Sequence, residues 1–378
     1  MSSIESTLKR ISTLTAVTLL ITLFVSNPFW LNNRIYPLVP VYPGLHVADW
    51  LGNLIFVGLL LSLMLLSFFP KQLYRTISLV LIAALIVLDQ SRIQPYIYMY
   101  FMTLLFLSLP PAYRNVQMDC LRLMCAFAYI WAGLQKMNIE FYERIMPWFI
   151  YAIVPRETVL NNQFIHQCVS LLVLSTPVFE AAIGFLYLTE KKKKIPLLMS
   201  GVMLTFVLLA LGPLGHQFNI IVWPWNVWLF IMSYNLFKDN PTAASIFSLK
   251  THPVYGMKIL CILMFGIVPG LVLLGKWDAY QSFQLYSGNI NTATANIDKT
   301  ELDKLPKSIR YYADDNNRLD FNRLSYGLYN MATYPEKRIF LSVWETWCHD
   351  YGLSNSTLTI TKMSKDQVYD CRGLLHNL

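Results

Sequence analysis

The sequence predicts an all-α polytopic membrane bundle of about nine transmembrane helices, followed by a small C-terminal α/β extracytoplasmic domain. Three observations carry this. The chain has 378 residues, 55% hydrophobic and only 14% charged, against roughly 25% charged in soluble domains. The deficit is uneven: long apolar runs fill residues 1–275, whereas residues 276–378 have the polarity of a soluble domain. Cations of the first part gather in the loops between the runs. The net charge of +8 and pI near 9.0 therefore read as membrane orientation and not as a nucleic-acid footprint.

In chain order, a short lead with Lys9 and Arg10 precedes the first run, Ile11 to Ser26. No small-x-small cleavage site follows it cleanly, so an uncleaved span is expected, with Pro28, Phe29 and Trp30 as an interfacial belt. Pro37, Pro40 and Pro43 exclude a regular helix in the next loop, which also holds His46. The second span is Trp50 to Phe69. The third, about Thr76 to Leu88, and the fourth, about Ile93 to Leu109, are short for a bilayer. Asp89 and Arg92 between them are expected to pair. The fifth is Cys120 to Leu134, the sixth about Val169 to Leu188 and the seventh Pro196 to Leu211. The eighth is roughly Phe218 to Phe237, kinked by Pro224, and the ninth is Met257 to Leu274.

With the N-terminus inside, nine alternating spans give the inner side Lys9, Arg10, Lys71, Arg75, Arg114, Lys191 to Lys194, Lys238, Lys250 and Lys258. The outer side receives only Arg34, Arg92, Lys136, Arg144 and Arg156. This agrees with the positive-inside rule, and an even span count would break it. The protein is expected in the membrane with a cytoplasmic N-terminus and an extracytoplasmic C-terminus, surrounded by membrane lipids.

The outer domain opens on KWDAYQSFQLYSGN, aromatic-rich and expected at the interface. A strand is expected over Thr292 to Ile297, helices over Leu319 to Thr333 and Pro335 to Tyr351, and a strand over Ser356 to Lys362. Asn355-Ser356-Thr357 matches the glycosylation sequon. Cys348 and Cys371 lie in a compartment that this topology makes oxidising, so a disulfide is expected between them. Cys120, Cys125, Cys168 and Cys261 read as small apolar filler. No cysteine spacing suggests a metal site.

The stretch that organises the chain is CLRLMCAFAYIWAGLQKMNIEFY, Cys120 to Tyr142. It ends on Lys136, whose amine either snorkels to the headgroups or does a job. Gly133 leaves room for close approach by another helix or a ligand. Glu180 lies well inside the sixth run, and an intramembrane carboxylate faces a cavity or a partner by default. His216, in GPLGHQ, falls at the same outer level as Lys136. These three residues are the candidate site, expected to converge on one cavity open to the outer face. The bland reading has Lys136 snorkelling, His216 capping a turn and Glu180 bonding a nearby hydroxyl.

Tyr129-Ile130-Trp131-Ala132-Gly133-Leu134-Gln135-Lys136-Met137-Asn138 to Phe141 resembles a helix end of the horizontally transferred transmembrane domain family, which is related to vitamin K-dependent gamma-carboxylase. Gly215-His216-Gln217-Phe218-Asn219 resembles that family's histidine at the head of a late span. Phe179-Glu180 through Gly184-Phe185-Leu186 resembles its acid-then-Gly-Phe-Leu pattern. Gln135 stands for the first of two lysines, Asn138 for an acid and Phe141 for a tryptophan. The resemblance covers the membrane half alone. It implies a carboxylase-like membrane enzyme using reduced vitamin K or another quinol, with Lys136 as the base that deprotonates it and His216 and Glu180 in support. A second class remains open: a non-catalytic scaffold or transporter-like protein that presents its C-terminal domain outside, its intramembrane polar groups serving packing.

Overall fold

The computed structural model describes residues 3–239, 241–242, 246–247, 256–371 and 375–376. Lys250, counted among the inner-side cations, lies outside the described residues. Helices occupy the nine apolar runs: α1 Ser3–Val25, α2 Asp49–Phe68, α3 Gln72–Leu88, α4 Pro95–Leu107, α5 Arg114–Leu134, α6 Gln163–Thr189, α7 Lys194–Leu211, α8 Val222–Phe237 and α9 Gly256–Cys261. The last continues through a π-helical turn, Ile262–Ile267, and a 3₁₀ stretch, Val268–Leu274. Pro269 supplies no backbone N–H, so the winding changes there.

Five of these are long and apolar enough to cross a membrane: α1, α2, α6, α7 and the α9 stretch. The expected nine do not all meet that criterion. α4 has 13 residues, about 20 Å at ~1.5 Å per residue, against a hydrocarbon core of about 30 Å. α5 carries Arg114, Asp119 and Arg122, which dilute its apolarity. Pro224 does not kink α8. It sits in the first turn, where the missing N–H has no intrahelical partner to lose.

The chain divides into two compact units. The first comprises residues 1–22, 60–79 and 95–289. Its principal seam is α5 against α6, and small residues make it possible. A Cβ on Gly133 would run into the Ala181 amide and the Pro177 carbonyl, and one on Gly184 into the Ala126 carbonyl. Close backbone approach with glycine and alanine is the usual way helices pack where apolar burial gives no net drive. Near the start of α5, Asp119 is shared by two cations: Lys258 Nζ at 2.8 Å and Arg122 at 3.3 Å. Cys120, Cys125 and Cys261 are buried among these helices, but Cys125 Sγ lies 3.1 Å from Ser233 Oγ and Cys261 Sγ donates to the Cys120 carbonyl, while Cys168 is exposed and so is not the filler expected.

The second unit comprises residues 23–59, 80–94 and 290–378. Its sheet, β1 Thr292–Asn296, β2 Arg318–Asp320, β3 Thr357–Lys362, β4 Lys365–Tyr369 and the two-residue β5 Leu375–His376, runs antiparallel in the order β2-β1-β3-β4-β5. Ala293, Ala295, Leu358 and Ile360 alternate to the buried face, where α10 Phe321–Tyr329 packs on β1 and α11 Lys337–Tyr351 on β3. The expected helix over 319–333 is shorter. Asp320 caps it, its Oδ1 accepting the Arg323 amide at 2.6 Å, and Asn330 ends it in the left-handed region. Cys348, in the last turn of α11, is bonded to Cys371 beyond β4, the disulfide expected from sequence. Phe29 and Trp30 are buried and not belt residues; Phe29 meets Tyr329 edge-on at 5.7 Å.

Two charged groups fix the irregular parts of this unit. Asp89 accepts from Arg34 at 2.6 Å and lies 3.6 Å from Arg92. The two guanidiniums also bond the carbonyls of Phe29, Tyr36, Leu85 and Trp30, so the proline-rich loop folds around them. Glu301 accepts from Ser354 N and Oγ, Asn355 N, Ser356 Oγ and Lys304 Nζ. Burial works to raise its carboxyl, but these donors outweigh burial and hold it down at about 2.

Candidate functional site

Tyr129 and Ala132 on α5, three residues apart on one helical face, and Lys136 in the turn that follows the helix line a cavity of about 110 Å³ in the first unit. α6 contributes Thr176 and Glu180, one turn apart, to the same wall. Lys136 Nζ lies 2.6 Å from Glu180 Oε2. The side chains are 13% and 9% exposed, so the pair is nearly enclosed. Most of the remaining wall is apolar or aromatic, including Met203, Phe206, Trp225 and Phe283. In such surroundings a lone charge is costly, and an opposite charge at this distance offsets much of that cost.

The turn after α5 is built by Gln135 and Asn138. Asn138 Nδ2 donates to the carbonyls of Gln135 and Ser287, and its Oδ1 accepts the Phe141 amide at 3.0 Å. It thereby closes one helix and starts the π-helical turn Phe141–Ile145. Gln135 accepts from Gln284 Nε2 at 2.8 Å and donates to the Pro269 carbonyl. Gln135 and Asn138 thus staple the segment Tyr280–Ser287 to the end of α5. That segment supplies Phe283, Leu285 and Tyr286 to the cavity wall. Tyr280 and Phe283 are buried, so this aromatic run is interior to its unit and does not lie at an interface as the sequence suggested.

Two of the three expected site residues meet, and the third stands apart. His216 is not in the cavity wall. Its ring stacks on Trp148 with centroids 4.0 Å apart and planes at 10°, and its Nε2 is 2.8 Å from the Trp148 carbonyl. A carbonyl only accepts, so Nε2 carries the hydrogen of this bond. The link from this turn to the cavity is Asn219, whose Nδ2 donates to Tyr286 Oη at 2.7 Å. Asn219 belongs to the same GHQFN stretch, in which His216 was the expected site residue from its outer level and from the resemblance. Trp225 and Tyr286 had no signal beyond aromatic richness. His46 is exposed.

Among the described residues no group of three or more His, Cys, Asp or Glu side chains could hold a metal ion. The chemistry the arrangement offers is proton transfer at one ion pair in an apolar chamber. No protein-family model, no curated protein and no solved structure matches this chain.

Proposed function

We propose that this protein is a carboxylase-like multi-span membrane enzyme that admits a quinol or another lipid-soluble amphiphile to the cavity and takes a proton from it at Lys136. In this reading the nine helical runs all pass the membrane, with the N-terminus cytoplasmic and the cavity on the outer side. The observation that carries it is the Lys136–Glu180 pair inside an apolar chamber. A proton handed from Nζ to Oε2 across 2.6 Å turns the ion pair into a neutral pair. No net charge appears in the low-dielectric site, and the free amine is left with a lone pair that can accept a hydroxyl proton. Glu180 is then the relay that makes Lys136 a base. The cavity's aromatic walls suit a quinol ring, and the family resemblance implies that dioxygen would then act as the oxidant of the deprotonated ring. His216 positions Trp148, next in chain to Phe149 of the wall, and does not itself reach the reacting atoms.

The second reading is a non-catalytic membrane protein. It is favoured by the same pair, since Lys136 and Glu180 satisfy one another, and by the structural use of Gln135 and Asn138. The purified protein in nanodiscs with a reduced quinone separates the two. Quinol-dependent turnover lost in Lys136→Arg and in Glu180→Gln, with both variants folded, supports the enzyme. Turnover unaffected by Lys136→Arg removes Lys136 as base, because a guanidinium does not release its proton. No turnover with any quinol leaves the scaffold reading.

A further inference from the structure

The cavity beside Lys136 has a volume of about 110 Å³, below the ~150 Å³ apolar cavity that accepts one benzene. As the wall stands, it fits a molecule smaller than a ring. Most of the wall is apolar or aromatic, and the ion pair in it is not saturated. Lys136 Nζ donates to Glu180 Oε2 at 2.6 Å, which leaves the ammonium with spare N–H donors. No described residue donates to Glu180 Oε1, yet that oxygen is not sealed off by its neighbours. Glu180 is 7% exposed, and both it and Lys136 line the cavity. The chamber therefore offers a donor beside an acceptor, on a pair whose charges already cancel.

We infer that the chamber binds a short-chain monocarboxylic acid, taken up together with its proton. A protonated carboxyl group carries an O–H donor and a carbonyl acceptor side by side, the complement of Glu180 Oε1 and Lys136 Nζ. No covalent bond is made or broken, and the acid's proton lies between the two carboxyl groups. A carboxylate arriving without its proton would leave a net negative charge in apolar surroundings, which is costly. Acetic and propionic acids have fewer heavy atoms than benzene, and their alkyl ends suit the wall that Met203 and Phe206 supply. The other titratable groups in the wall are the phenols of Tyr129 and Tyr286; α7 and α8 place none there. Phenols are neutral at and below neutral pH, so one proton accompanies each acid. The inference does not rest on the quinol reading, since no ring has to enter.

Acetate binding to the full chain in nanodiscs, read by saturation-transfer NMR, tests this. Saturable binding is expected in the millimolar range, because so few heavy atoms supply little binding energy. Above the acid's own titration, the proton taken up with it makes the apparent affinity for total acetate fall about tenfold per pH unit. Benzoate, with the same head on a ring, is expected not to bind. Ala132→Leu, which fills the chamber from α5, is expected to abolish acetate binding. In Glu180→Gln the ammonium of Lys136 has no counter-charge, so acetate is expected to bind as the anion in place of the lost carboxylate, and the pH dependence disappears. Acetate binding without pH dependence in the parent means that the anion alone is held, and overturns the inference. So does a pH dependence that persists in Glu180→Gln, binding kept in Ala132→Leu, or acetamide binding where acetate does not. Benzoate binding as tightly as acetate removes the size limit and overturns it as well. No saturable acetate binding at any pH overturns it outright. Quinol-dependent turnover is a separate measurement, and either result stands without the other.

Discussion

Lys136 and Glu180 are 44 residues apart in sequence and meet at 2.6 Å. Their meeting depends on a glycine. Gly133 precedes Lys136 by three residues, and its missing side chain lets α6 approach at Pro177 and Ala181, so that Glu180 falls opposite the ammonium. The packing glycine sits in the last turn of α5 and the lysine in the turn that follows it.

The energetic test of the pair is a double-mutant cycle. Lys136→Met and Glu180→Leu each strand a nearly buried charge and are expected to cost about 3–5 kcal/mol. The double variant leaves no charge to desolvate and is expected to be more stable than either single variant. Denaturant unfolding in mild detergent, followed by tryptophan fluorescence, reads the four corners. Additive losses would mean the two groups do not sense each other in the folded protein.

The seam makes a separate prediction. Gly133→Ala places a methyl group against backbone, which cannot rotate away, so the expected loss is about 1–3 kcal/mol. Gly133→Leu should separate the helices enough to abolish the pair. In the Gly133→Leu background Glu180→Leu should then cost much less than in the parent. A full cost in both backgrounds would show that α6 is held at this height by something other than the glycine.

Legibility in the sequence followed the physics of each signal. Apolar runs placed the helices, because hydrophobicity is summed over many residues. Span number was less legible: α4 is short and α5 carries three charges, so length and composition cannot decide for them. Glu180 and Lys136 could be read because a charge in an apolar run is rare. Their pairing could not, since it depends on the approach of two helices. Arg34 was missed as the main partner of Asp89 for the same reason; Arg92 is near in sequence, and Arg34 is near only in the fold. The β3–β4 hairpin was missed because Met363 and Ser364 both adopt positive φ without the Asn-Gly or Asp-Gly pair that usually marks such a turn. The disulfide was legible because Cys348 and Cys371 are the two cysteines outside the apolar runs' neighbourhood.

Glu301 gives a pH dependence. Its carboxyl is held at about 2 in the folded protein, against an ordinary value of 4.5. The unfolded chain therefore binds the proton first on acidification. The stabilisation is fully present above 4.5 and disappears as pH falls towards about 2. Glu301→Gln should be less stable than the parent at neutral pH and should lose less on acidification. Unfolding midpoints of the full chain across this acid range check the slope. Parallel curves for parent and variant would mean that another carboxylate sets the acid limb.

The Cys348–Cys371 bond ties the end of α11 to the chain beyond β4, and it bears on orientation as well as stability. A bond of this kind persists where the surroundings are oxidising, as they would be in the proposed orientation, with the C-terminal part of the chain outside the cytoplasm. Thiol labelling of the denatured, unreduced protein is expected to miss both cysteines and to find them after reduction. Removing the bond should destabilise the sheet-bearing unit by roughly 2–4 kcal/mol, while α5–α6 packing is little changed. A reporter active only outside the cytoplasm, fused after Leu378, should be active, and one active only inside should be silent. The opposite pattern would make the number of crossings even and put Lys136 on a different side from the one proposed. Because the thiol and reporter assays are independent, free thiols with an external reporter would reject the bond alone and keep the orientation.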